Sequence, residues 1–235
     1  MQATNAKRDK TLDPKNTPAY PLAEAARYLK LPVATLRSWV LGRPYPKAKG
    51  VGQFHPLIQP PARRPSVLSF WNLIEAHVLR SLRTEHGVSL KDLRKALTYA
   101  ERELNVERLL LDRQLRTGAG HVFLERYGKL ISLSASGQIA MRKMFDEHLK
   151  RVEGSDWQFP IRLYPFLSST TQSSAKPIAI DPQIAFGRPV VVRMGVSTQA
   201  IADRIDAGES LNEVASDDGL DPSEIEEAVL YERAA

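Results

Sequence analysis

The chain has 235 residues, 43% hydrophobic and 26% charged, with no cysteine and a formal net charge of +6. That length suffices for two modest domains with cores of their own. Without cysteine there is no disulfide scaffold, thiolate zinc site, iron–sulfur cluster or cysteine nucleophile. No run approaches the roughly 20 apolar residues of a membrane span, and the opening MQATNAKRDKTLDPKN lacks the apolar segment of a secretory signal. The expectation is a cytoplasmic protein with no membrane partner.

The net charge conceals a division. Met1 to Lys150 hold 26 Lys and Arg against 13 Asp and Glu, whereas Arg151 to Ala235 hold 7 against 14, so +13 is joined to −7. A polyanion suits the first part, because neutralised phosphates release condensed counterions. Ten of the 16 prolines fall at or before Pro65, and the 94 residues between Pro65 and Pro160 contain none, which leaves that stretch free to be helical.

In chain order, residues 1–17 read as a disordered basic tail and 18–65 as a helix-turn-helix with a wing. In YPLAEAARYL, Leu22, Ala25, Ala26 and Leu29 recur at helical spacing and form one apolar stripe. After LKLP, Pro32 starts a second helix that turns Leu36 and Val40 inward and leaves Arg37, Ser38 and Arg43 outward. RPYPKAKGVGQFHPLIQPPARRP, with six prolines, cannot be a regular helix and reads as a strand pair or irregular wing anchored by Phe54, Leu57 and Ile58, or else as a proline-rich linker.

Residues 66–166 read as a helical extension. Ser69 caps a helix holding Leu73, Ile74, His77, Val78 and Leu82, Gly87 ends it, and Ser89 opens the next. A small hairpin about Gly128 and a helix over 137–152 follow, and the helices around Leu97 to Leu115 suggest a dimer seam. The Ser- and Thr-rich segment 167–176 reads as a linker, and 177–235 as an acidic unit with short strands at PIAI and VVV. Three helices close it, capped by Ser197, Ser210 and Asp221, with Pro222 at the first position of the last and Glu224 at its third. The fold class expected is mainly α with small β elements.

For function, Arg37 carries most weight, since a guanidinium on a recognition helix reaches a phosphate or, bidentately, a guanine edge. Trp39 beside it packs either on sugar or in the core. Arg43, Lys47, Lys49, Arg63 and Arg64 suit phosphates, and Thr35 and Ser38 can donate to the DNA backbone, though Thr35 also suits a helix cap. His55, His77, His86, His121 and His148 lack metal-ligand spacing. The acids Asp217, Asp218, Asp221, Glu224, Glu226 and Glu227 lie mostly at helix ends, where capping and the dipole account for them. No Walker loop, G-x-G-x-x-G or nucleophile elbow is present, so no enzyme, metal or cofactor is expected.

Leu36, Arg37, Ser38 and Trp39, followed by FWNLIEAHVLRSLRTEHGVSLKDLRKAL, resemble the DNA-binding domain of MerR-type regulators, with GQFHPLI standing in place of that family's usual wing pair. Gly187, Pro189 and Val190, then Gly208, Glu209 and Ser210, then Ala228 and Tyr231, resemble the antitoxin-type domain of unknown function four-three-three. Arg193, Met194 and Asp218 depart from its pattern. Together and in this order the pieces resemble VapB-type antitoxins. The resemblance implies a protein that binds and neutralises a PIN-type ribonuclease toxin and represses its own operon; on double-stranded operator DNA a homodimer or higher homo-oligomer is expected, because a single small module rarely supplies enough specific affinity. The alternative is a ligand-sensing MerR-like regulator without a toxin partner.

Overall fold

The computed structural model describes residues 14–63, 65–84, 90–91, 93–94, 97–98, 108–111, 151–154, 160–165 and 176–234. Strand β1 (Tyr20–Pro21) runs into α1 (Leu22–Tyr28), and α2 (Val33–Leu41) follows a short turn. Ala25, Ala26 and Leu29 are buried with Leu36 and Val40, as the helical spacing requires. Pro32 stands at the N-cap rather than inside α2, so its missing N–H removes no helical bond.

Strands β2 (Arg43–Pro46) and β3 (Val51–Phe54) pair antiparallel as a wing. The chain leaving it is tied to α2, because Leu57 and Ile58 both donate their N–H to the Trp39 carbonyl, at 2.7 and 3.1 Å. Strands β4 (Ala62–Arg63) and β5 (Ser66–Leu68) complete a small antiparallel sheet in the order β1-β5-β4. It delivers the chain to α3 (Phe70–Thr84). Ser69 caps α3 reciprocally: its Oγ accepts the Asn72 N–H at 3.3 Å, while Asn72 Oδ1 accepts the Ser69 N–H at 3.0 Å.

Helix α3 is the spine of the N-terminal part. Leu73, Ile74, Ala76, Val78 and Leu79 are buried, and so are Asn72, Glu75, His77 and Ser81. A buried carboxylate is tolerable only when paired. Glu75 takes two bonds from Arg108, at 2.9 and 3.0 Å, and one from Asn72 Nδ2 at 2.8 Å.

A five-stranded antiparallel sheet joins this part to the C-terminal one. It consists of β6 (Val152–Gly154), β7 (Pro160–Leu163), β8 (Ile178–Ile180), β9 (Pro189–Val191) and β10 (Val196–Ser197), in the order β10-β9-β8-β7-β6. Strands β8 and β9 fall in the two apolar runs singled out in the sequence. Strands β6 and β7 were not anticipated, and Val152, expected to end a helix, begins β6 instead. Val152, Leu163 and Ile180 pack into the N-terminal core, whereas Val191 packs into the C-terminal one, so a single sheet serves two cores.

The acidic end forms α4 (Thr198–Asp206), α5 (Leu211–Asp218) and α6 (Pro222–Arg233) around Ile201, Val214, Ile225 and Ala228. Ser210 and Glu213 form a capping box, and the bonds Glu213 accepts from the Ser210 N–H and hydroxyl draw its pKa below the usual carboxylate value. Glu224 reaches back to the Asp221 N–H at 2.9 Å. Ser197 occupies the N-cap of α4 but makes no side-chain capping bond. The molecule is thus mainly α with small β elements. Of the tail expected to be disordered over 1–17, Pro14–Asn16 form a 3-10 turn in which Asn16 Oδ1 accepts from Arg108 at 3.2 Å; residues 1–13, the hairpin about 128, most of the helix expected at 137–152 and most of the linker lie outside the described residues, as does the dimer seam except at 97–98 and 108–111.

The acidic unit is packed against the helix-turn-helix. The Tyr231 hydroxyl donates to the Tyr28 carbonyl at 2.8 Å, and Arg27 pairs with Glu232 at 3.0 Å and also donates to Gln199. Glu232 further accepts the Thr198 hydroxyl at 2.5 Å. Lys30 lies 4.0 Å above the Tyr231 ring. Burial lowers its pKa to about 8, with Arg27 and Arg80 acting in the same direction and Glu232 opposing them.

Below about 8 both folded and unfolded chains hold the Lys30 proton, and folding bears the cost of burying the ammonium; between 8 and the ordinary 10.5 only the unfolded chain holds it. Stability relative to Lys30→Met is therefore expected to rise through that window, as measured by urea unfolding of both chains across pH. A difference that falls or stays flat contradicts a buried Lys30.

Candidate nucleic-acid interface

The second helix of the helix-turn-helix presents a polar outer face because its inner face is fully used. Leu36, Trp39 and Val40 are buried, while Arg37 is exposed at the midpoint of α2. Trp39 is 0% exposed and so is not available to a nucleic-acid sugar. Of the two readings of Trp39, the core one holds: its side chain is buried in the N-terminal core, and its carbonyl accepts from the N–H groups of residues 57 and 58. Thr35 and Ser38 are half-buried, and the Ser38 hydroxyl donates to the Thr35 carbonyl at 2.8 Å, so it is committed to its own helix.

The wing brings aromatic and cationic side chains together. Tyr45 and Phe54 stack across the β2–β3 pair with centroids 4.1 Å apart. The Arg43 guanidinium lies 5.4 Å from the Phe54 ring and the Lys47 ammonium 5.5 Å from the Tyr45 ring. Lys49 is exposed at the hairpin tip, where Lys47 N–H closes on the Gly50 carbonyl at 3.0 Å. Arg63 contributes its backbone to β4, and Arg64 lies outside the described residues. Among the described residues, Arg37, Arg43, Lys47 and Lys49 form no ion pair.

Arg94 was missing from the sequence reading. Its guanidinium lies 4.8 Å from Phe54 and its Nε donates to the His55 carbonyl at 3.2 Å, so it fastens the wing to the segment after α3. Burial lowers its pKa, and the neighbouring Arg43 charge adds to the shift. Nothing local in the sequence shows that a ring 40 residues earlier in the chain would receive it.

The C-terminal unit has the opposite electrostatic character. Arg204 is held by Glu209, Asp217 at 2.7 Å and Asp218 at 3.2 Å, which pushes its pKa up. Arg193 donates to the Gly219 carbonyl at 2.6 Å and pairs with Glu224 at 3.1 Å. The departures at Arg193 and Asp218 thus have local work: one closes the end of α5 against α6, the other helps hold Arg204.

The family described as "Putative DNA-binding HTH domain" matches residues 18–97, and that described as "Protein of unknown function (DUF433)" matches 178–231. "Putative antitoxin VapB45" of Mycobacterium tuberculosis is 28% identical over 234 residues, covering 91% of this chain and 93% of the relative. The chain is thus similar over most of its length to a protein described as a putative VapB antitoxin. The crystal structure of Rv2018 from Mycobacterium tuberculosis is similar with a TM-score of 0.66, over 91% of this chain and 98% of that one, at 24% identity, and supports the fold. In this chain, Tyr231 and Gly187, two of the residues that carry the C-terminal resemblance, both meet the N-terminal part. Tyr231 bonds to α1, and a Cβ at Gly187 would come 2.0 Å from the Tyr20 hydroxyl.

Arg94→Ala is expected to cost about 1 kcal/mol, from the lost cation–π contact and exposed hydrogen bond. Amide exchange at the β2–β3 pair is expected to accelerate more than in α1. Equal acceleration in both elements, or none, excludes Arg94 as the fastener of the wing.

Proposed function

We propose that the protein is an antitoxin that represses its own operon and neutralises a PIN-type ribonuclease toxin by direct binding. The observation that carries this reading is Arg37. It is exposed and without an ion pair among the described residues, on the second helix of a helix-turn-helix, in a chain similar along 91% of its length to a VapB antitoxin. Arg37 enters the major groove of operator DNA, in the manner of MerR-like proteins. Arg43, Lys47 and Lys49, with Arg63 and Arg64 beyond the wing, neutralise phosphates and set register. Thr35 lies beside them and adds a hydroxyl, whereas Ser38 and Trp39 support the helix from within.

A single small module rarely supplies enough specific affinity, so a homodimer or higher even-numbered assembly reads an inverted repeat, its two recognition helices about 34 Å apart. The seam is assigned to residues 97–115. The role is that of a non-enzymatic regulator in the cytoplasm, and no helix among the described residues is long and apolar enough to cross a membrane.

A second reading, a MerR-like regulator that senses a small ligand, is favoured by one observation. A cleft of about 330 Å³ lies between α1 and the C-terminal unit, lined by Glu24, Arg27, Arg188, Gln199, Asp203 and Glu232. The DNA upstream of the gene and the product of the neighbouring reading frame discriminate between the two. An antitoxin binds both, whereas a ligand sensor binds DNA in response to a small molecule and ignores the neighbour.

Arg37→Ala is expected to weaken operator binding by about 1–3 kcal/mol with relaxed preference at one base pair if it reads guanine, or to lower the salt slope by about one if it meets a phosphate. Fluorescence anisotropy against salt separates these outcomes. Unchanged affinity and slope remove Arg37 from the interface.

A further inference from the structure

The loop entering β9 displays a side chain that the fold itself does not use. Phe186 is 96% exposed, more than any other large apolar side chain among the described residues. It lies in the left-handed region at φ 56, after Ala185 at φ 47 and before Gly187 at φ 76. Two non-glycine residues in that region are strained, and they persist only where surrounding contacts fix them.

Those contacts are present. Asp181 accepts the Gln183 N–H at 2.9 Å and Arg162 at 3.1 Å, the Ile184 N–H donates to the Asp181 carbonyl at 3.0 Å, and Gly187 is pressed against Tyr20. The ring is thereby held out on a rigid turn. An Asn or Gly at 186 suits the backbone better and exposes no apolar surface. Neither conformational preference nor solvation favours Phe186 in the isolated chain.

Arg188, two residues on, adds a second feature. Arg193, Arg204 and Arg233 each close on carboxylates of their own unit, whereas Arg188 is exposed and forms no ion pair among the described residues. Aromatic residues and arginine are both enriched at protein interfaces relative to the rest of the surface. The net charge of −8 from Asp181 onward opposes a nucleic-acid backbone as the occupant.

We propose that the turn at 184–188 is the toxin-docking surface. Phe186 enters an apolar socket on the toxin, and Arg188 meets a carboxylate at the rim of that socket. This assignment rests on the antitoxin reading.

The test uses the full chain, with the product of the neighbouring reading frame as the probe. Phe186→Asn is expected to keep or raise the melting temperature and leave operator affinity unchanged, while weakening binding to the probe about 30-fold or more. Arg188→Glu weakens it in the same direction. If both variants bind the probe like the parent chain, the docking surface is wrong and the antitoxin reading stands. If the parent chain itself does not bind the probe, both fall together. A lower melting temperature for Phe186→Asn means that the ring is a packing residue, and a changed mass of the free chain means that a second copy covers the turn; either result overturns the proposal.

Discussion

Arg27 lies where the basic and acidic parts of the chain meet, at the last turn of α1. Its guanidinium is held by Glu232 at 3.0 Å, and Glu232, only 6% exposed, is also bonded to Thr198 at the start of α4. A carboxylate so enclosed is tolerable only when it is paired and hydrogen-bonded. Two residues of α6 thereby fix the orientation of the C-terminal unit, Glu232 through Arg27 and Tyr231 through the Tyr28 carbonyl. The acidic unit is anchored on the last turn of α1, and Arg193, Arg204 and Arg233 pair with further carboxylates within it.

This arrangement lets a protein of mixed charge present a cationic surface. With the acids engaged elsewhere, Arg37 and the wing cations keep their charge uncompensated within the described residues. The wing supports them with rings rather than carboxylates: Tyr45 and Phe54 offer π faces to Lys47, Arg43 and Arg94, which hold the cations in place without cancelling them. Trp39 completes the frame from inside by joining α2 to the chain that leaves the wing.

Much of this was legible in the sequence where the determinants are local. The stripe Leu22, Ala25, Ala26, Leu29 predicted α1, and Ser210, and Asp221 with Glu224, predicted the starts of α5 and α6, because capping is decided within one turn. What escaped were pairings between residues far apart in the chain. Tyr231 with Tyr28 and Arg94 with Phe54 leave no mark on periodicity, and strands as short as β6 and β7 carry too few residues to show alternation. The acidic unit had been expected to hang from a linker; its docking rests on such distant contacts. The sequence pattern left Trp39 open between sugar and core, and its complete burial decides for the core.

The measurement that bears most directly on the cationic surface is the affinity of the full chain for duplex DNA from upstream of its gene as salt is varied. Each neutralised phosphate contributes about 0.9 to the logarithmic slope, so engagement of Arg37 and the three wing cations of each protomer predicts a slope of about −3.6 per protomer and about −7 for a dimer, with tighter binding to the upstream sequence than to random duplex. A slope near zero, or equal affinity for any duplex, contradicts the account.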